Sequence, residues 1–305
     1  MKPYYSLNDY LQQTFGHKLY KLALRGGMTC PNRDGTIGTR GCLFCSPAGA
    51  GEFAEAIHGT VHDQIERAKL RIRKKTDASR FIAYFQDFSN TYAPVSHLRE
   101  LFEAAIQPQE IEVLSIATRP DCLGEEVLSL LKELNTQKPV WVELGLQTSN
   151  ERTARVIRRG YPLEVFDQAV EHLHCIGCQV IAHMILGLPG ETKEDMLATA
   201  AHIAACGCDG IKLHLLHVLQ GTDLAALFAQ GLCPILSKDT YIELLGDILE
   251  HLPASMVIHR LTGDGPKSLL LAPMWSANKK DVLNSIHRSF QQRQIQQGRL
   301  YSFPL

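Results

Sequence analysis

Short β-rich runs recur along this chain, each closed by polar or glycine-containing residues and followed by an amphipathic helical stretch, and this alternation constrains the fold most. The runs lie at 19–24, 81–85, 112–117, 140–146, 179–186 and 210–216. The helical stretches lie at 62–75, 96–105, 124–134, 150–158, 162–175, 193–205 and 222–229. Strands joined by crossover helices pair in parallel with right-handed connections. The pattern therefore predicts an α/β fold, a curved parallel sheet or a partial (β/α)6 TIM-like barrel with its helices outside. Sites in such sheets gather at the carboxyl ends of the strands.

The barrel is expected over residues 1–231. From 232 to 305 the pattern is less regular, with a helix near 238–251, a β-like run at 256–261, a loop at 262–267 and a basic terminal helix. This reads as a small C-terminal α/β extension, and no glycine-serine linker separates it from the barrel. Charge excludes little: 31 basic and 32 acidic side chains leave a net charge of −1, so the chain as a whole is not a polyanion binder. No apolar run approaches a membrane span, and the opening MKPYYSLNDYLQQ lacks the basic-then-apolar order of a secretory signal. A cytoplasmic location without membrane contact is expected, and nine cysteines, an odd number with six of them scattered, suit a reducing compartment.

Three cysteines stand apart. Cys30, Cys42 and Cys45 form a Cys-x11-Cys-x2-Cys cluster directly after the first strand, where the strand-end rule places a site. Three thiolates can hold three corners of a 4Fe-4S cube and leave the fourth iron open. Gly35, Gly38 and Gly41 let the loop fold back so that Cys30 joins the close pair. Zinc is the competing metal, since Cys-x2-Cys is also a zinc knuckle and His58 would complete a Cys3His site.

Other polar residues fall at strand ends and converge on one mouth: Gln86 and Asp87, the stretch 118–121, Glu143 to Gln147, GLPGE at 187–191, and His214 and His217. Taken singly, an acidic residue there caps the next helix as readily as it binds a ligand.

With these residues in place, the chain resembles the radical S-adenosylmethionine (SAM) superfamily, and within it the bacterial YhcC/YtqA-like (MnmL-type) family related to the elongator catalytic subunit and the oxygen-independent coproporphyrinogen oxidases. The resemblance rests on LRGGMTCPNRDGTIGTRGCLFC at 24–45, YFQDFSNTYA at 84–93, TRPDCL at 118–123, ELGLQTSNERTARVIRRG at 143–160, HMILGLPGET at 183–192, GIKLHLLHVLQGT at 210–222 and LLLAPMW at 269–275. The long first cysteine gap departs from the commoner Cys-x3-Cys-x2-Cys spacing and matches this branch.

The resemblance implies a barrel of the radical SAM type whose cofactors are a 4Fe-4S cluster held by Cys30, Cys42 and Cys45, and SAM on the fourth iron. It implies that Gln86 and Asp87 lie near the SAM amino group and that Glu143 and Gln147 bond its ribose and methionyl portions. Arg159 would pair with its carboxylate, and the backbone of Leu186, Gly187 and Gly190 would meet adenine. Reductive cleavage of SAM would yield a 5′-deoxyadenosyl radical, with an electron donor such as flavodoxin or ferredoxin. The extension would cover the mouth or contact substrate.

For the substrate, the resemblance favours tRNA, through removal of the carboxymethyl part of a carboxymethylaminomethyl group on wobble uridine. A small metabolite or porphyrin-like molecule is the alternative, and a zinc-stabilised, non-catalytic RNA-binding barrel is the alternative of another class. Two basic runs supply phosphate contacts on the RNA reading: Arg67, Lys69, Arg71, Arg73, Lys74, Lys75 and Arg80, and then Lys279, Lys280, Arg288, Arg293 and Arg299. Taken on composition, each is also what a solvated helix face looks like. His214, His217 and His259 are candidate proton donors or substrate contacts. Cys175 and Cys178 flank a capping Gly177 and read as packing; Cys206 and Cys208 are assigned to no second cluster.

Overall fold

The computed structural model describes residues 2–46, 49, 54, 59–263 and 265–302. Its strands are β1 (Tyr20–Leu24), β2 (Phe81–Phe85), β3 (Ile111–Thr118), β4 (Val140–Gln147), β5 (Gln179–Leu186), β6 (Gly210–Leu215), β7 (Val218–Leu219), β8 (Val257–Arg260) and β9 (Leu270–Ala272). Its helices are α1 (Leu7–Phe15), α2 (Val61–Arg73), α3 (Val95–Ile106), α4 (Glu125–Asn135), α5 (Glu151–Val156), α6 (Leu163–Cys175), α7 (Lys193–Ala205), α8 (Asp223–Ala229), α9 (Lys238–His251) and α10 (Lys279–Gln292).

The main sheet runs β1-β2-β3-β4-β5-β6-β8, every pair parallel, as a curled partial barrel. It thus has seven strands rather than the six read from the pattern. The seventh, β8, comes from the stretch after residue 231 and pairs Gly210 with Val257. Its free edge is met by the amino-terminal segment, where Ile258 N–H donates to the Tyr5 carbonyl at 2.8 Å. The same stretch supplies β9, antiparallel to β7.

Period-two alternation sorts the strand side chains. One set, including Leu22, Phe85, Leu114, Ile116, Val142, Leu144, Val180, Ala182 and Leu213, faces the helices and builds the main core. Within the barrel, Ile82, Val113, Trp141 and Ile181 form an apolar layer with Leu19 and Leu11. Helix α1 closes that layer from below: Tyr10 sits edge-on to Trp141, ring centroids 5.9 Å apart, and its hydroxyl bonds Gln179. Burying each such side chain contributes about 1.5–3 kcal/mol.

Caps set the helix starts. Thr60 with Asp63, and Thr192 with Asp195, form reciprocal capping boxes on α2 and α7. The cap of α7 is therefore Thr192, not Glu191 of the GLPGE turn. Gly177 terminates α6 at φ +78°, the left-handed conformation that glycine adopts without strain. Among the described residues no helix is long and apolar enough to cross a membrane.

Candidate active site

The loop after β1 folds back on itself through backbone bonds. Arg33 N–H donates to the Cys30 carbonyl at 2.8 Å, Ile37 N–H to Pro31 at 2.8 Å, and Gly41 N–H to Asn32 at 2.7 Å. Gly41, at φ +71°, makes the reversal that delivers Cys42. Asn32 is buried and donates to the Arg158 carbonyl at 2.7 Å, while Leu43 N–H donates to Ile157 at 3.0 Å, so the loop is pinned to the end of α5. Arg33 holds the far end through the Ser46 carbonyl at 2.6 Å. All three thiols are free, half-buried and on the wall of one cavity.

The Cys42 thiol is pulled down to about 6 by its bond with Cys45, with help from the Asn32 amide, Arg119 and Arg158. The same bond, with burial, pushes the Cys45 thiol up, so the proton shared by the pair sits on Cys45. A zinc ion with Zn–S of 2.3 Å would set its sulfurs roughly 3.8 Å apart. Among the described residues, Asp167, His202 and Cys206 are the set of three candidate ligands within 4.8 Å of one another; the three loop sulfurs are not all that close, although Cys42 and Cys45 are within hydrogen-bonding reach. His58 lies outside the described residues.

The cavity, about 400 Å³, opens at the carboxyl ends of the strands and brings together Cys30, Cys42, Cys45, Gln86, Glu143, Gln147, Arg159, His214 and His217. Glu143 forms its floor. Its side chain has no exposed surface, and Oε1 accepts from Lys21 Nζ at 2.7 Å and Ser115 Oγ at 2.9 Å. Oε2 accepts from His183 Nε2 at 2.8 Å and from Lys212 Nζ. Burial opposes ionisation, yet Lys21, Lys212 and His183 hold the carboxyl well below its usual range. Burial takes His183 down to about 4, so the ring is neutral at pH 7 and donates from Nε2. Lys212 also reaches the Tyr84 hydroxyl at 3.1 Å, and both lysines lie 4.5 Å from the Tyr84 ring centroid.

Four donors fill the four acceptor positions of a carboxylate. Lys21, Lys212, Ser115 and the neutral His183 occupy those positions, and Glu143 stands on the cavity wall where the resemblance expects a SAM contact. Arg159, the expected partner of the SAM carboxylate, also stands on that wall. It is 1% exposed and donates to Thr148 O at 2.6 Å, Tyr161 O at 3.0 Å and Glu151 Oε1 at 2.5 Å, an arrangement that fixes the turn after α5.

Gln147 does point into the cavity. A register shift between β4 and β5 at Gly145/Gln147 and a φ of +64° turn it off the strand. Asp87 is buried beside Arg25 at 3.8 Å and is not on the cavity wall. Leu186, Gly187 and Gly190 are also off that wall, where Ile185 stands instead. His259 faces Trp141 at 5.5 Å between ring centroids and borders a separate groove, so it leaves the group of candidate proton donors.

Arg119 of the stretch 118–121 is on the wall as the strand-end rule expects, clamped to Asp121 at 2.7 and 2.9 Å; the pattern missed Arg33 and Phe88. It also missed the layer Lys21, Tyr84, Ser115, His183 and Lys212. A signal was present: each is a polar group at an inward position of an otherwise apolar strand.

The first basic run is misplaced for a substrate at this mouth. Helix α2 runs from the carboxyl end of β1 to the amino end of β2, which puts Arg71, Arg73, Lys74, Lys75 and Arg80 at the opposite end of the barrel. Lys69 is buried and paired with Glu66 at 2.8 Å and Glu110 at 3.2 Å. In the tail, Arg293 and Arg299 pair with Asp247 and Glu250 of α9.

Residues 34–203 match the Radical SAM superfamily model and residues 208–292 that of the Radical_SAM C-terminal domain. The chain is 45% identical over 300 residues to the uncharacterized protein YtqA of Bacillus subtilis strain 168, covering 98% of this chain and 93% of that protein. It is 28% identical over 182 residues to a protein of Dehalococcoides mccartyi named tRNA uridine(34) acetyltransferase, covering 57% of this chain and 39% of that one. Among solved structures, Elp3 of the archaeon Methanocaldococcus infernus superposes with a TM-score of 0.70 at 15% identity, over 92% of this chain and 64% of that one.

Proposed function

The chain belongs to the radical SAM superfamily, whose cofactors are a 4Fe-4S cluster and SAM, and from that membership we propose that it modifies the side chain of a tRNA wobble uridine, converting carboxymethylaminomethyl to aminomethyl. The observation that carries the reading is one cavity with three loop thiols on its wall and a closed polar floor at the strand ends. The tRNA part is supported by the D. mccartyi relative named for a tRNA uridine. When bound, the two cofactors supply one-electron cleavage of SAM and a carbon radical that removes hydrogen from an unactivated carbon.

Cys30, Cys42 and Cys45 hold the cluster, and Arg33 and Asn32 keep their loop in shape. Gln86 and Gln147 orient SAM from the wall. Phe44 and Phe88 offer π faces to a splayed base, as single-stranded RNA readers do. The saturated Glu143 layer closes the barrel below, and Gly263, Gly265 and Pro266 of the extension border the mouth, which limits water around a reactive carbon. A reductant is required, and a flavodoxin or ferredoxin fits that need.

The test is nucleoside analysis of tRNA from a strain lacking the gene, followed by incubation of that tRNA with the reconstituted protein, SAM and reductant. Accumulation of the carboxymethylated nucleoside in the strain, and tRNA-dependent 5′-deoxyadenosine formation in vitro, support the reading. An unchanged nucleoside profile with no tRNA-dependent cleavage removes it and turns the search to a small metabolite or porphyrin-like substrate.

A further inference from the structure

On the outside of the barrel, three unlike ligating atoms meet. His202 Nε2 of α7 lies 2.7 Å from Asp167 Oδ1 of α6. Cys206 Sγ, at the end of α7, lies 3.2 Å from the same oxygen and 3.4 Å from the same nitrogen. We propose that Asp167, His202 and Cys206 bind a zinc ion that ties α6 to α7, with water in its fourth position.

Spacing supports it. Residues four apart on a helix share one face, so His202 and Cys206 form a ready pair, and α6 brings Asp167 across to them. A tetrahedral zinc with bonds of about 2.1 Å holds its ligands roughly 3.4 Å apart. The sides of this triangle are 2.7, 3.2 and 3.4 Å, so an ion seats over it once the His202–Asp167 side opens by about 0.7 Å, within reach of side-chain rotation at these partly exposed residues.

Asp167 Oδ1 accepts from both the ring and the thiol in this structure; a metal would replace those two protons and take a lone pair from each of the three atoms. Thiolate, imidazole and carboxylate together suit zinc better than magnesium or calcium, which prefer all-oxygen shells.

The surroundings agree. Cys206 is placed by backbone, its N–H donating to the His202 carbonyl at 2.9 Å ahead of Gly207 at φ +74°. The His202 ring is steadied by Phe166, 6.4 Å between centroids. Side-chain exposures of 41% for Asp167 and 26% for His202 leave an entry path and room for the water ligand.

The experiment uses the full chain with its iron-sulfur cluster reconstituted, so that the loop thiols are occupied. Elemental analysis after zinc addition and desalting should give one zinc per chain in wild type, with at least a tenfold loss in His202→Ala and Cys206→Ser. Cobalt(II) should give a near-ultraviolet thiolate band that Cys206→Ser abolishes. Zinc should raise the melting temperature of wild type and not of the variants, whose metal-free melting matches wild type. Equal zinc content in all three proteins, or a cobalt-thiolate band that persists in Cys206→Ser, overturns the proposal.

Discussion

Lys21 of β1 reaches Glu143 of β4, its Nζ 2.7 Å from Oε1, although β2 and β3 lie between them in the sheet. Neighbouring strands stand roughly 4.8 Å apart, so a flat sheet would separate these two backbones by about 14 Å. The contact exists because the sheet curls, and Lys212 approaches the same carboxylate from β6. With Ser115 of β3 and His183 of β5, one buried anion on β4 thus joins five strands across the barrel interior.

Removing that anion should cost stability. Glu143→Ala leaves Lys212 buried and Lys21 mostly buried with no countercharge, and urea unfolding should show a loss of about 3–5 kcal/mol. The double variant Glu143→Leu with Lys212→Met should recover part of it. A loss below about 1 kcal/mol would mean that the lysines find other partners.

The loop cysteines should separate cleanly from the rest. Cys30→Ala, Cys42→Ala and Cys45→Ala should each lose most bound iron and all SAM cleavage after reconstitution, because two thiolates do not hold a cube in place. Cys175→Ala, exposed at the end of α6, and Cys178→Ala, buried in the core just before β5, should keep both. Iron analysis and 5′-deoxyadenosine assays decide, and equal iron loss in both sets would mean the ligands are misassigned.

Glu191 gives a pH signature. Burial pushes its carboxyl up to about 7. Between the ordinary glutamate value and 7 the folded state therefore holds a proton that the unfolded state has released, so this group's contribution is full at low pH and is lost as pH rises through 7. Thermal melts from pH 5 to 8 should show Glu191→Gln gaining on wild type as pH increases. A difference that does not vary with pH would contradict the shift.

Arg71, Arg73, Lys74 and Lys75 test the placement of α2. If they gripped RNA, replacing all four with Gln would flatten the salt slope of tRNA binding by about 3 log-log units. Their position at the far end of the barrel predicts a slope changed by less than about 1, measured by filter binding at several salt concentrations.

Much of this was readable from order alone. The strands at 81–85 and 179–186 and the helix at 193–205 emerge residue for residue, because apolar periodicity and Thr-x-x-Asp caps act within a few positions of themselves. The cysteine loop was equally legible, since its ligands and turn-forming glycines are neighbours. What sequence could not supply was which distant side chains would meet. The run 256–261 looked like part of an appendage, and only the edge left open beside β6 made it a seventh strand. Lys69 looked like one cation in a basic stripe, and only packing put it against Glu66 and Glu110. Glu143 looked like a ligand-binding acid at a strand end. Curling the sheet surrounded it with Lys21, Ser115, His183 and Lys212, residues up to 122 positions away. Local periodicity and spacing determine elements and chelating loops; the partner of a buried charge is decided by closure of the barrel, because closure is what brings side chains from separate strands within bonding distance.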